Sequence, residues 1–120
     1  MELKPDEKMI KTAKIVCELI GKIQEMNKES EIETWDMLPK EHKQALYENI
    51  LYIIKNPSTT AEIEHRIWAE KKINQGWKYG KKKNRAKKIH NCLVSFDELN
   101  FYQKLKDQVF IDIVKLSYNL

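Results

Sequence analysis

Apolar residues recur at helical spacing over most of this chain, and the pattern predicts four helices. Met9, Ala13, Val16, Ile20 and Ile23 return every three or four positions, with Ile10 and Cys17 widening the stripe. Lys8, Lys11, Lys14, Glu18 and Lys22 occupy the remaining faces, so the spacing predicts a helix from about Pro5 to Lys28. Asn27 to Thr34 is polar and reads as a connection. A second helix is predicted after Trp35 and Leu38, with Pro39 in its first turn, where a missing N–H costs nothing. Ala45, Leu46, Ile50, Ile53 and Ile54 carry it to Pro57, which stops it. The third begins at a capping box, Thr59-x-x-Glu62, and continues through Ile63, Ile67 and Trp68 to Ile73, with Gly76 as the C-terminal stop. A second capping box, Ser95-x-x-Glu98, opens a short turn, and a last helix follows from about Tyr102 to Tyr118 with Val109, Phe110, Ile113, Val114 and Leu116 on its apolar face.

Between the third helix and Ser95 the helical period disappears. Gly76 to Val94 is rich in Gly, Lys and Asn, and no strand is expected there. A connection this long inside a domain is either functional or disordered. Its interleaved Trp77, Tyr79, Ile89, Cys92, Leu93 and Val94 favour an ordered loop. The expected fold is therefore all-α: a single domain over residues 1–120, of about four helices, with a long ordered loop carrying Gly76-Trp77-Lys78-Tyr79-Gly80.

Charge sharpens this picture. The chain carries a net charge of +4, yet Lys71 to Phe96 holds nine Lys or Arg and no carboxylate, so the rest is acidic. A concentrated basic segment on an acidic scaffold points to an anionic partner at one place. Two cysteines, Cys17 and Cys92, both fall in apolar surroundings and read as buried thiols of an intracellular protein. No signal peptide or span of roughly 20 apolar residues is visible, and the expected location is cytoplasmic, without a membrane.

Candidate chemistry narrows by elimination. Glu62 and His65 share a helical face, but a single Glu-x-x-His pair falls short of a di-iron site, and neither C-x-x-C nor H-x-x-x-H occurs. Cys92 lies two residues after His90 but beside Leu93 and Val94, which is a poor setting for a nucleophile. No metal, cofactor or catalytic residue is expected. His65 and Trp68 fit a core tryptophan beside a backbone-bonded histidine as well as they fit a ligand contact. Lys78, Lys81, Lys82, Lys83, Arg85, Lys87 and Lys88 fit a solvated loop, a nucleic-acid surface or a phosphate site.

Taken in order, the motifs resemble the repeat of the ryanodine receptor family, which also occurs as small stand-alone proteins in bacteria and their viruses. The matching elements are Trp35, Leu38 and Pro39; Glu62, His65 and Trp68; Gly76 to Gly80; Lys88, His90, Cys92, Leu93, Val94, Phe96, Asp97, Glu98 and Leu99; and Lys106-Asp107. The likeness runs from about Ala13 to Val114. Asn91 and Ser95 stand where the family usually has proline, and Asn84 where it usually has aspartate.

The resemblance implies an all-helical, non-enzymatic module that binds a purine nucleotide. His65, Trp68, Trp77, Tyr79, Lys88 and His90 become the expected ligand contacts, with Lys81, Lys82, Lys83 and Arg85 around the phosphates. It also implies a role in sensing or sequestering a nucleotide signal, of cyclic-dinucleotide or ADP-ribose type, in conflict between viruses and hosts. Because the receptors carry these repeats in pairs, a homodimer is expected. The competing expectations are a nucleic-acid-binding protein using loop 78–88 and a protein–protein adaptor.

Overall fold

The computed structural model describes residues 2–120. It contains α1 (Glu7–Met26), α2 (Lys40–Lys55), α3 (Ala61–Asn74) and α4 (Phe101–Tyr118), with single 3-10 turns at Trp35–Met37 and Phe96–Glu98. The fold is mostly α-helical, as the periodicity predicts. Among the described residues no helix is long and apolar enough to cross a membrane.

Three of the helices build the core. Met9, Ala13 and Val16 of α1 meet Tyr47, Ile50 and Ile53 of α2 and Phe110, Ile111 and Val114 of α4. Apart from Tyr47 and Ile111 these belong to the stripes read from the sequence, whereas Leu116, also read on the apolar face of the last helix, is 76% exposed; the burial of these stripes against one another is the main apolar stabilisation. Trp35 packs on this core, tilted against Tyr47 at 6.2 Å between ring centroids and with Lys43 Nζ 4.7 Å over its ring. The Trp35/Leu38/Pro39 element is thus a lid on the bundle. Gly21 lets the 27–34 connection lie directly on α1, since a Cβ there would come within 2.8 Å of the Glu33 carbonyl oxygen.

Helix α3 is different. Its buried residues are Ala61, Glu64 and His65, while Ile73 is 59% exposed. It presents no apolar stripe to the core and is held mainly by polar and aromatic contacts to α4 and the loop beyond it.

Several boundaries depart from expectation. The cap of α3 is Thr60, whose hydroxyl accepts the Ile63 N–H at 3.3 Å; Thr59 instead donates to the Asn56 carbonyl at 2.6 Å. Two adjacent threonines offer the same chemistry, and the chain uses the second. Glu62 is exposed in the first turn and does not close a box. At the second predicted box, the Ser95 hydroxyl donates to Glu98 Oε1 at 3.2 Å and caps no amide. The cap of α4 is Asn100, accepting the Gln103 N–H at 2.9 Å, which starts that helix at Phe101.

The expectation of no strand is also corrected. Lys78–Tyr79 (β1) and Ile89–His90 (β2) form a two-stranded parallel ladder, and Asn84 pairs with Ile89 in an antiparallel bridge. Two-residue strands carry no readable alternation. The ladder arises because α3 ends in a Schellman turn: Gly76, at φ +91°, donates to the Ile73 carbonyl and Trp77 to that of Lys72. That turn delivers Lys78 N–H to the Lys88 carbonyl at 2.9 Å. Asn84 Oδ1 accepts the Lys87 N–H at 3.2 Å, a turn bond that the family's usual aspartate could also make. The Gly80 N–H meets the His90 carbonyl at 3.3 Å, so the ladder ties the two ends of the loop together.

Gly80 is required by this arrangement, because a Cβ there would overlap Ile89 Cγ2. Gly80→Ala should cost about 1–3 kcal/mol in urea denaturation by forcing the strands apart. An unchanged midpoint would show that the ladder contributes nothing to stability.

Candidate functional site

His65 lies at the junction of α3, the loop and α4, and is only 4% exposed. Its Nε2 sits 2.8 Å from the Val94 carbonyl, which can only accept, so Nε2 carries hydrogen. Its Nδ1 lies 3.6 Å from Asp107 Oδ2. Burial alone pulls the imidazole pKa down, but the Asp107 carboxylate and the Val94 carbonyl outweigh it, and the pKa is raised. The ring stacks on Trp68 at 5.5 Å and 29°. His65 thus backs Trp68 and holds it in place.

His90 approaches the same indole edge-on, at 4.8 Å and 78°. Its Nδ1 accepts the Cys92 N–H at 3.0 Å, which leaves the ring proton on Nε2. Burial first, and then the charges of Lys83, Lys72, Lys106 and Arg85, press its pKa down to about 3, so the ring is neutral. Burial also raises the Cys92 thiol to about 11, which keeps it protonated and unreactive at neutral pH.

Two cavities meet at the Trp68–His90 wall. The outer one, of about 310 Å³, is bordered by both indoles, Trp68 and Trp77, and by Lys71, Lys72, Lys83 and Arg85, with Glu33 as its one carboxylate. Lys72 Nζ lies 4.7 Å over the Trp77 ring. The cations converge closely enough to act on one another: burial and the charges of Lys83 and Arg85 lower the Lys72 pKa, and burial together with Lys72, Arg85 and Lys83 lowers that of His42. Such a cluster relieves its own repulsion by taking up an anion.

The inner cavity, of about 250 Å³, is bordered by Glu64, His65, Trp68, His90 and Asp107, among others. Glu64 is 6% exposed, and its Oε2 has no hydrogen-bond partner. Burial, reinforced by Asp107, raises its pKa to about 7. Lys106 lies on the same wall, with Nζ 2.6 Å from Glu29 Oε2.

The structure thus gathers Trp68, Trp77, His90, Lys83 and Arg85 around one space, with His65 behind it. Tyr79, 55% exposed, together with Lys81 and Lys82, borders a third, open groove of about 610 Å³ that also holds Lys28, Glu29, Glu31 and Glu98 and shares Lys83 and Arg85 with the outer cavity. Arg85 reaches Glu31 at 3.2 Å at the edge of that groove. Lys88, at φ +55°, donates to the Gln75 carbonyl at 2.7 Å and so fastens the end of α3. The sequence reading passed over His42, Glu64, Lys71 and Lys72. For Glu64 a signal existed: Ala61, Glu64, His65 and Trp68 share one helical face.

With this geometry in view, the comparison with protein families has a physical counterpart. The model of the RyR domain matches residues 57–116, which contain α3, the loop and nearly all of α4. The chain belongs to the RyR domain family. The matched residues are those that build the His65 junction; α1 and α2 lie outside the match.

Glu64 sets a pH dependence. Its folded pKa, about 7, lies above the ordinary value of 4.5, so the stability it contributes is complete below 4.5 and is lost as pH rises through 7. His65, also raised, acts in the same direction, whereas His90, depressed, costs stability as pH falls below 6.5. Glu64→Gln should therefore stabilise the protein by about 3 kcal/mol at pH 8.5 and change little at pH 4.5, read from urea melts across that range. Equal gains at both ends would mean that Glu64 does not titrate in the fold.

Proposed function

We propose that this chain is a non-enzymatic nucleotide-binding protein. A purine lies against the indole of Trp68, which borders both cavities, and its phosphates meet Lys72, Lys83 and Arg85 beside Trp77. The observation that carries this reading is the outer cavity itself, where two indoles and four cations converge beside a single carboxylate. Flat aromatic faces suit a base, and a mutually repelling cation cluster suits phosphate. The biological use is then to sense or sequester a nucleotide signal, such as a cyclic dinucleotide or an ADP-ribose derivative, in virus–host conflict.

The runner-up is nucleic-acid binding through Tyr79, Lys81 and Lys82. That groove sets three carboxylates among its five cations, a less one-sided field than the outer cavity with four cations and one carboxylate, which weighs against it. A pair of double variants separates the two. Lys83→Gln with Arg85→Gln should weaken a mononucleotide about tenfold or more while leaving the melting temperature near that of the parent, since both side chains are exposed. Lys81→Gln with Lys82→Gln should leave mononucleotide affinity alone. Tight, length-dependent DNA binding with a steep salt slope, lost in the second pair, would replace this reading with the polymer one.

The proposal includes two-fold assembly. One face of Trp68 is already covered by His65, so each chain offers a single open face of that indole, and two copies would suit a two-base ligand. Sedimentation at micromolar concentration should give a dimer, at least with cyclic dinucleotide present. A monomer binding one nucleotide per chain would remove the dimer from the proposal and leave the cavity.

A further inference from the structure

A buried carboxylate oxygen without a partner is costly, and folded proteins rarely keep one. Glu64 Oε2 is such an atom, on a side chain more than nine-tenths buried, in the wall of the inner cavity. It stands one helical turn before Trp68, on the same face of α3. Nothing in the fold satisfies it: Lys106 is paired with Glu29, and Asp107 faces His65 and repels it. What the position lacks is a hydrogen-bond donor, and the cavity beside it has about 250 Å³ of room.

We propose that Glu64 reads the base of the bound nucleotide, and that the base is guanine. This rests on the nucleotide reading above and adds the identity of the base to it. Guanine presents two adjacent donors, N1–H and the 2-amino group, which one ionised carboxylate accepts together. Adenine places a lone pair at N1 and pairs with this carboxyl only in its protonated form, so at pH 7.5, above the Glu64 value of about 7, the ionised carboxylate disfavours it. Guanine also carries an acceptor, O6, beside its donors. The wall supplies the matching donor: His90 is neutral with its proton on Nε2, because Nδ1 already accepts the Cys92 amide. Acceptor and donor therefore flank the indole on which the ring would rest, while the cations of the outer cavity take the phosphates. Binding would draw the proton off Glu64, since the two base donors stabilise the ionised form.

The test is calorimetric titration of the whole chain with GMP, IMP and AMP at up to millimolar concentration and pH 7.5. GMP should bind about tenfold or more tighter than AMP, with IMP, which keeps N1–H but lacks the 2-amino group, in between. Glu64→Gln should weaken GMP about tenfold and spare or improve AMP, because an amide offers both a donor and an acceptor to adenine. The wild-type series needs no variant, so a folding defect in Glu64→Gln cannot obscure it. AMP binding as tightly as GMP, or an unchanged GMP-to-AMP ratio in Glu64→Gln, would overturn the guanine assignment and leave the nucleotide reading standing. Failure of all three to bind would overturn both.

Discussion

His65 joins three parts of the chain that share no apolar core. One ring nitrogen meets the Val94 carbonyl of the loop, the other faces Asp107 of α4, and the ring face lies on Trp68 of its own helix. Helix α3 has little else to dock with, because its apolar residues do not collect on one side and Ile73 stays largely in solvent. The Val94 carbonyl is a hydrogen-bond partner at 2.8 Å and Asp107, at 3.6 Å, an electrostatic one, so loss of the imidazole leaves a partly buried carbonyl unsatisfied. Trp68, the indole that borders both cavities, lies against this one imidazole.

This explains why motif residues far apart in sequence recur together. Lys106 and Asp107 are consecutive on α4, yet one holds Glu29 of the polar connection and the other holds His65. Gly76 and Gly80 bracket the strand that Lys88 and His90 pair with, the first through its positive φ and the second through the absence of a Cβ beside Ile89. Lys88 turns its ammonium back on the end of α3. Much of what reads as ligand chemistry in the motif is the framework that presents two indoles and a few cations.

The parts that the sequence made legible are those governed by a repeated physical rule. The stripes of α1 and α2 bury where periodicity places them, and the stop at Gly76 follows from a backbone conformation that glycine favours. The parts that were not legible depend on a choice between equals or on distant partners. Thr59 and Thr60 are chemically interchangeable as caps until the path of the preceding turn is known. The β1–β2 ladder is too short for any alternation. Glu64 shares a helical face with His65 and Trp68, but its burial depends on the distant α4 that packs against α3. Lys71 and Lys72 belong to the basic segment by composition, but their convergence with Lys83 and Arg85 requires the loop to fold back beside α3.

The two cavities differ in electrostatic character, and a single wall divides them. On one side of Trp68 and His90 lie Glu64 and Asp107; on the other lie Lys71, Lys72 and Arg85, with Lys83 reaching both. The opposite pKa shifts of neighbouring groups express that division: Glu64 is driven towards its neutral form by burial and a carboxylate, and His90 towards its neutral form by burial and lysines. Glu33 and Lys83 border both cavities, Lys106 is paired with Glu29 and Arg85 with Glu31, and what the fold leaves unmatched is the Glu64 carboxyl on one side and an excess of cations on the other. A molecule with donors at one end and negative charge at the other would relieve both at once, and a uniformly charged polymer would relieve only one. The polarity across Trp68 therefore favours a small amphoteric ligand such as a nucleotide over a polyanion, on grounds independent of the aromatic stacking that first suggested it.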